Sequence, residues 1–212
     1  FNTWLIQDVL QPMRALYLRM PAVATLVLAV GAGYLIGGIR SALVVAALTL
    51  FIALSPWWDR ALVTLYMATF GVVISCLIGF TVGTLCFQNK KSAAFMLGVC
   101  DIFQTFPSFV YLIPVMMLFG ITDTSVLIAV IVYATIPATR YTIEGLRSVP
   151  VGLHEAATMS GVNKFQRLTK IEFPLAFPHM MLGLNQTIVF ALFMVIIGAF
   201  IGTEDLGQYI LK

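Results

Sequence analysis

Charged residues are sparse in this chain, and the long stretches between them constrain the fold more than any other feature. Only 10% of the 212 residues are charged, against about 25% in an average soluble domain. The charge-free runs are Met20–Ile39, Ser41–Trp58, Ala61–Asn89, Ile102–Thr122, Thr124–Thr139 and Phe173–Thr203. Most of them approach the ~20 residues that a helix needs to cross ~30 Å of hydrocarbon. The sequence therefore predicts an all-α integral membrane protein with about six spanning helices.

The run Thr124–Thr139 is the shortest of these and has polar residues at both ends. A buried helix that does not span the membrane is the alternative interpretation for it. We favour a span, because removing it would place successive positive loops on opposite sides of the membrane.

Orientation follows from the positive residues, which are retained in the cytoplasm when they lie in short loops. The stretch 140–174 contains five of them, namely Arg140, Arg147, Lys164, Arg167 and Lys170. Placing this stretch inside also puts Arg40, Lys90 and Lys91 inside, and it puts the loops at Asp59, Asp123 and Glu204 outside. Trp57 and Trp58 then lie at the outer interface, where aromatic residues are enriched.

Residues 1–20 are predicted to form an amphipathic segment that lies on the outer surface rather than crossing the membrane. Its apolar positions are Trp4, Leu5, Val9, Met13, Leu16, Tyr17 and Met20. Arg14 and Arg19 would then be outside, against the positive-inside rule.

The predicted spans contain no Asp, Glu, Lys or Arg, although carriers driven by an ion gradient usually need such a residue within the bilayer. This counts against a secondary carrier but not against a passive channel. The sequence also has no phosphate-binding G-x-x-x-x-G-K-[ST] loop, and it has no catalytic or metal-ligand grouping. Cys76, Cys86 and Cys100 are irregularly spaced, and we interpret them as packing residues. A pump of this kind would take its energy from a partner.

The most polar block of the chain, His154–Pro174, predicts a compact helix-turn-helix on the cytoplasmic side. Ser148 is the expected N-cap and Pro150 the first residue of the first helix. Gly161 is suited to the left-handed residue that ends this helix. Asn163 and Gln166 predict a cap for a second helix, which Pro174 is expected to stop.

The same block resembles the E-A-A-x3-G-x9-I-x-L-P motif of ABC importer permeases. The matching residues are Glu155, Ala156, Ala157, Gly161, Ile171 and Pro174, with Phe173 in place of the usual Leu. The resemblance implies the MetI-like transmembrane fold of type I ABC importers. It also implies that these residues dock on a cytoplasmic ATPase, which would carry the ATP and Mg²⁺, so no cofactor is expected in this chain.

Two further segments resemble the permeases of glycine betaine, proline betaine and choline importers. They are residues 101–120, which begin Asp-Ile-Phe-Gln-Thr-Phe-Pro, and Gly-Leu-Asn-Gln-Thr at 183–187. The resemblance implies a methylated solute such as choline or glycine betaine, with trimethylamine N-oxide as the alternative. The acidic pair Glu204 and Asp205 departs from the Gly-rich pattern of betaine permeases.

Uncharged polar side chains within the spans are the candidates for a translocation pathway, because unpaired polar groups are costly against lipid. They are Gln104, Thr105, Ser108, Tyr111, Asn185, Gln186 and Thr187. Hydrogen bonding between helices is an equally good explanation for them. The glycines Gly71, Gly79 and Gly83 indicate close helix packing.

The predicted organisation is an amphipathic segment at 1–20 followed by a permease domain at 21–212, with the coupling helices at 140–174. The expected setting is the bacterial inner membrane, which the chain would cross several times in contact with lipid. The expected partners are ATPase subunits, an external substrate-binding protein and a second copy of the permease, and no nucleic acid. We also expect the natural protein to continue beyond both ends of this sequence.

Overall fold

The computed structural model describes residues 11–198, which form α-helices and one π-helical turn, with no strand among them. The elements are α1 Gln11–Leu18, α2 Ala22–Ala53, α3 Trp58–Phe87, α4 Lys90–Thr105, α5 Phe109–Phe119, α6 Asp123–Arg147, α7 Val151–Met159, α8 Lys164–Arg167, the π-helical turn π1 Leu168–Glu172, and α9 Phe173–Gly198. The all-α prediction is confirmed. The predicted outer loop at Glu204, the acidic pair there and the first half of the amphipathic segment lie outside the described residues.

Within residues 11–198, four helical stretches are long and apolar enough to cross a membrane, and α4 with α5 makes a fifth if the bent pair is one span. The four are Ala22–Ala53, Trp58–Phe87, Asp123–Arg147 and Lys164–Gly198. The difference from six predicted spans arises at two places, α2 and the α4–α5 pair.

Helix α2 is a helical hairpin that folds back at Gly38. This residue has φ 68° and ψ −162°, a backbone region that is essentially restricted to glycine. A methyl group on Gly33 would lie 3.1 Å from Val45 Cγ2 and 3.5 Å from Ala42 Cα, whereas a straight helix would separate residues twelve apart by about 18 Å. The two arms, residues 22–37 and 39–53, correspond to the first two charge-free runs, and Arg40 lies at the turn between them.

The run Ile102–Thr122 was predicted to form one spanning helix, but it forms two helices separated by a break. Helices α4 and α5 meet at 91° across a break of three residues, 106–108. Pro107 explains the break, because proline disfavours the helical conformation at the preceding residue. Phe106 is accordingly extended, with φ −73° and ψ 138°. Polar residues that were expected to begin a span instead flank this bend.

Helix α6 is the centre of the described fold, and it runs parallel to α3. Methyl groups on Gly71 and Gly83 would lie 2.5 Å from Val130 Cγ1 and 2.7 Å from Thr142 Cβ, respectively. Because the residue numbers of the contacts rise together, the two helices point the same way. Their backbones approach closely where glycine removes the side chain, as the glycine spacing predicted.

Helix α9 packs on α6 in the opposite direction. A methyl group on Gly183 would lie 2.7 Å from Tyr141 Cβ, and one on Gly198 would lie 2.5 Å from Val126 Cγ1. The contacts move toward the start of α6 as α9 proceeds. Helix α6 has the length of a span, 25 residues, and it is the most buried of the four candidate spans. The interpretation of the run Thr124–Thr139 as a span and its interpretation as a buried helix thus each describe part of α6.

Two polar contacts mark the two ends of this bundle. Arg14 Nη1 lies 2.9 Å from Asp123 Oδ2 at the end where α3 and α6 begin. At the other end, Arg147 Nη2 donates to Lys90 O at 3.5 Å. Arg14, which goes against the positive-inside rule, is thus paired with an acidic group. Which end faces the cytoplasm stays a prediction.

Candidate functional site

The helix α7 and the turn after it hold the residues of the predicted coupling motif. The helix ends in a Schellman motif, in which Val162 N donates to Ala157 O and Gly161 N donates to Thr158 O, both at 3.1 Å. This motif needs a left-handed residue after the cap, and Gly161 has φ 72°. The predicted role of Gly161 in ending the helix is confirmed.

The start of α7 differs from the prediction. Ser148 is not its N-cap but ends α6, because its backbone N–H donates to Glu144 O at 2.9 Å and its hydroxyl donates to Gly145 O at 2.7 Å. Pro150 then takes the N-cap position with extended backbone, φ −59° and ψ 136°, and α7 begins at Val151. The prediction was wrong because the backbone N–H and the hydroxyl of Ser148 both donate to carbonyls of the preceding helix α6.

The second helix begins as predicted but does not end at Pro174. Asn163 Oδ1 accepts from Gln166 N at 2.8 Å, and Gln166 Oε1 accepts from Asn163 N at 3.1 Å, which completes a capping box. From Lys164 the helix continues for 35 residues to Gly198. The prediction failed because π1 precedes the proline: a π turn spaces the backbone groups five residues apart, which relieves the clash of a proline ring with the carbonyl four residues earlier.

Four of the six predicted coupling residues line an open groove between α7 and the base of the last span. The groove has a volume of about 530 Å³ and is lined by Ala156, Ala157, Ile171 and Pro174, among others. Glu155, Ala156 and Gly161 are exposed, whereas Ala157 is buried. The small side chains leave the backbone of α7 open to close approach from outside.

Glu172 is a buried carboxylate at this site that the sequence reasoning did not single out. It is 2% exposed, and its Oε1 lies 3.1 Å from His154 Nδ1 and 2.9 Å from Arg167 Nε. These three residues border a second open cavity, of about 520 Å³. Glu172 was missed because it occupies the variable position of the motif, between Ile171 and Phe173.

The first group of candidate pathway residues lies around the bend between α4 and α5. Gln104 and Thr105 are exposed at the end of α4, Ser108 is half-buried in the break, and Tyr111 is buried in α5. The Tyr111 hydroxyl donates to Phe103 O. Its ring centroid is 5.2 Å from that of Tyr133 on α6. For Tyr111 these contacts fit helix packing better than a lining role.

The second group lies on α9, and its three side chains differ in exposure. Asn185 is exposed, Gln186 is half-buried and Thr187 is fully buried. The Thr187 hydroxyl donates to Gly183 O, one turn earlier, at 2.8 Å. Asn185 and Gln186 are therefore the members of this group that remain available to a pathway or a partner.

An ionic cluster adjoins the first group and was not predicted. Arg140 donates to the Asp101 carboxylate, to Gln104 Oε1 at 3.0 Å and to Glu144 Oε1 at 3.0 Å. The sequence reasoning ended a span at Arg140, but α6 continues to Arg147, about 10 Å further along the axis. The cluster thus joins α4 to α6 within the length of the spanning helix.

Comparisons with known proteins add a family and several relatives. The family model described as "Binding-protein-dependent transport system inner membrane component" matches residues 71–212. The chain is 90% identical over 212 residues, 100% of its length, to the trimethylamine N-oxide transport system permease protein TmoV of Pelagibacter ubique (strain HTCC1062). Over 207 residues, 98% of the chain, it is 33% identical to the glycine betaine/proline betaine transport system permease protein ProW of Escherichia coli (strain K12).

A third relative is the glycine betaine transport system permease protein OpuAB of Bacillus subtilis (strain 168), which is 36% identical over 152 residues, 72% of this chain. The chain spans only part of each relative: 30% of the Pelagibacter ubique protein, 58% of the Escherichia coli protein and 54% of the Bacillus subtilis protein.

Proposed function

Since the chain belongs to the family of binding-protein-dependent transport system inner membrane components, we propose that it supplies the membrane-spanning permease of an ATP-driven ABC importer. As a member of this family, it is a multi-pass protein of the inner membrane. ATP hydrolysis in the proposed machine takes place on a separate ATPase, and an external binding protein delivers the solute. The chain itself carries the pathway and the surface that receives the ATPase.

The observation that carries this proposal is the continuity between the exposed motif and the last span. Helix α7 presents Glu155 and Ala156 to the outside. A tight Schellman turn at Gly161 then connects it to a helix that continues for 35 residues through π1 and α9. A partner that displaces α7 would push on the base of a span rather than on a loose loop. This is the arrangement that a coupling element needs.

The ionic cluster at Arg140 supports an aqueous pathway next to α4 and α6. Charged side chains at membrane depth are costly unless they face a protein interior or a water-filled cavity. The Asp101 side chain is 59% exposed, so in this chain it faces outward beside Gln104. We propose that this face, including Thr105 and Ser108, lines the cavity or meets a second copy of the permease.

The exposed amide of Asn185 indicates that one face of α9 also lines the cavity or meets a second copy of the permease. An amide that faces lipid would lose its hydrogen bonds to water without replacement. Asn185 and the half-buried Gln186 are therefore proposed to face the pathway or the second copy. Thr187 already has a partner within its own helix and is assigned to packing.

We propose trimethylamine N-oxide as the transported solute. Two relatives are named for its transport: the Pelagibacter ubique protein already described and a protein of Ruegeria pomeroyi (strain ATCC 700808 / DSM 15171 / DSS-3), which is 47% identical over 98% of this chain. More distant relatives are named for glycine betaine. The solutes share a methylated nitrogen, and their overall charge is small. Glycine betaine and choline are the competing substrates to compare.

The first test is uptake into proteoliposomes that contain the full-length permease with its ATPase and binding protein. Labelled trimethylamine N-oxide, glycine betaine and choline are compared with and without ATP inside. We expect uptake that requires ATP, with trimethylamine N-oxide preferred. Equilibration of label without ATP would identify a passive channel, and uptake driven by an ion gradient alone would identify a secondary carrier.

Two substitutions at Gly161 then separate its two proposed roles. Asn tolerates the left-handed backbone that Gly161 adopts, but β-branched Val does not. A side chain at this position meets no described atom within 4 Å of its Cβ, so Gly161→Asn preserves the turn while adding bulk to the docking face. If the ATPase approaches the backbone there, both Gly161→Asn and Gly161→Val lose ATP-dependent uptake. Loss with Val alone would mean that glycine serves only the turn.

A further inference from the structure

We infer that Glu172 is a positioning residue that carries the movement of α7 into the last span, through one carboxylate oxygen shared by His154 and Arg167. The inference rests on the proposed function and assigns part of its coupling to a residue that is not one of the six matching motif residues. His154 lies on α7, whereas Arg167 and Glu172 lie at the base of the last long helix.

Glu172 is buried, so its charge needs partners inside the protein. A carboxylate that is 2% exposed is stable inside a protein only when its charge is paired and its oxygens accept hydrogen bonds. Arg167 Nε and His154 Nδ1 both reach Oε1, at 2.9 Å and 3.1 Å. Moving α7 away would remove one partner from a buried charge, so the two elements are expected to move together.

The π-helical turn π1 determines where the Arg167 and Glu172 side chains point. Arg167 and Glu172 are five residues apart, and in an α-helix such residues point about 140° away from each other. The π turn from Leu168 to Glu172 winds the chain more loosely, and this brings the two side chains together on the side that faces His154. The turn that accommodates Pro174 therefore also creates the site that holds α7.

Two other polar side chains of α7 and its C-cap are hydrogen-bonded within the same segment. Thr158 donates to His154 O at 2.8 Å, within the same helix, and Ser160 donates to Ala156 O at 2.9 Å. Within residues 11–198, the approach of His154 Nδ1 to Glu172 Oε1 at 3.1 Å is the polar side-chain contact that joins α7 to the last long helix. It is therefore the polar connection through which a push on α7 reaches Glu172.

The test measures solute taken up per ATP hydrolysed by the full-length permease, reconstituted with its ATPase and binding protein. His154→Leu removes the imidazole on α7 that contacts Glu172, and we expect this ratio to fall about tenfold, within the usual range of coupling between sites, while ATP hydrolysis continues. His154→Asn places an amide N–H near the position of Nδ1, and it is expected to restore most of the ratio. Asp59→Asn is the control, and it should leave the ratio unchanged. Asp59 lies at the start of α3, whereas the other end of α3, at Phe87, borders the cavity of His154 and Glu172.

Arg167→Met is the discriminating variant, because it removes a partner from the same oxygen without touching α7. We expect it to lower the amount of assembled permease, with uptake and ATP hydrolysis falling in parallel. If His154→Leu permease assembles and keeps the wild-type ratio of uptake to ATP hydrolysis, the inference is wrong and the contact is only structural.

Glu172→Gln decides the question if His154→Leu fails to assemble, since Gln keeps the shape and the acceptor but lacks the charge. We expect its ratio to fall as well, and an unchanged ratio would overturn the inference. Wild-type protein without ATP-dependent uptake would instead contradict the proposed function itself, so the two failures are distinguishable.

Discussion

Helices α2 and α6 show that hydrophobicity does not decide which part of this membrane protein becomes its core. The hairpin α2 is the more apolar of the two, yet only 6% of its most apolar window is buried, against 61% for α6. The hairpin also precedes the residues matched by the family model, which begin at 71, whereas α6 lies within them. The less apolar helix is the one around which the others pack.

The physical reason is that lipid is as apolar as leucine, so burying a leucine between helices gains little. Helix α6 instead packs against glycines of its neighbours, which let the helix backbones approach closely. Gly71 and Gly83 of α3 and Gly183 of α9 lie against it. In α2, the described residues that are buried are Gly33 and Ala42, where the two arms of the hairpin meet. Close backbone approach thus separates the core from the periphery.

The largest effect is expected from filling the α3–α6 contact. A methyl group on Gly83 would already lie 2.7 Å from Thr142 Cβ, and Gly83→Leu forces the two helices apart, which costs about 3 kcal/mol or more. Gly31→Leu on α2 is the matched control, because no described atom lies within 4 Å of a methyl group there. Thermal unfolding in detergent, followed by size-exclusion chromatography, measures both. Equal stability of the two variants would show that α3 and α6 do not pack as described.

A second prediction concerns the outer face of the hairpin, which we expect to meet hydrocarbon. Leu28 is 65% exposed near the middle of the first arm, and an acidic residue at the centre of a span costs about 2.5–3.5 kcal/mol. We expect Leu28→Asp to lower the fraction of chains inserted in the membrane. Leu54→Asp, at the end of the hairpin, is the control with a smaller effect. Normal insertion of Leu28→Asp would mean that this face is covered by protein or water.

The same contrast explains which features the sequence could predict. Charge-free runs gave the approximate spans and the position of the hairpin near Arg40, because the cost of placing charge in lipid is local to each residue. Gly161 was predicted correctly because the left-handed turn depends on one residue and its immediate neighbours. The small-residue contacts of α3 were indicated by glycine spacing, but the partner α6 was not.

The errors arise where distant residues decide the local structure. Pro174 was read as a helix stop, and only the π turn before it shows why the helix continues. Arg140 was taken as the end of a span, because its partner Asp101 on α4 meets it only in the folded chain. Glu172 has no pattern of its own, and its importance comes from His154, eighteen residues earlier in the sequence.

The smallest effect is expected at the hydrogen bond between α3 and α6. Ser75 is fully buried, and its hydroxyl donates to Ile131 O at 3.0 Å. Hydrogen bonds between membrane helices contribute about 0.6 kcal/mol on average, so Ser75→Ala should lower stability slightly but measurably. Thr25→Val on α2 is the control, since the Thr25 hydroxyl faces the carbonyl of Pro21 within its own segment at 3.4 Å and its loss should change nothing. A loss from Ser75→Ala as large as that from Gly83→Leu would mean that polar contacts, rather than close backbone approach, hold α6 at the centre of the fold.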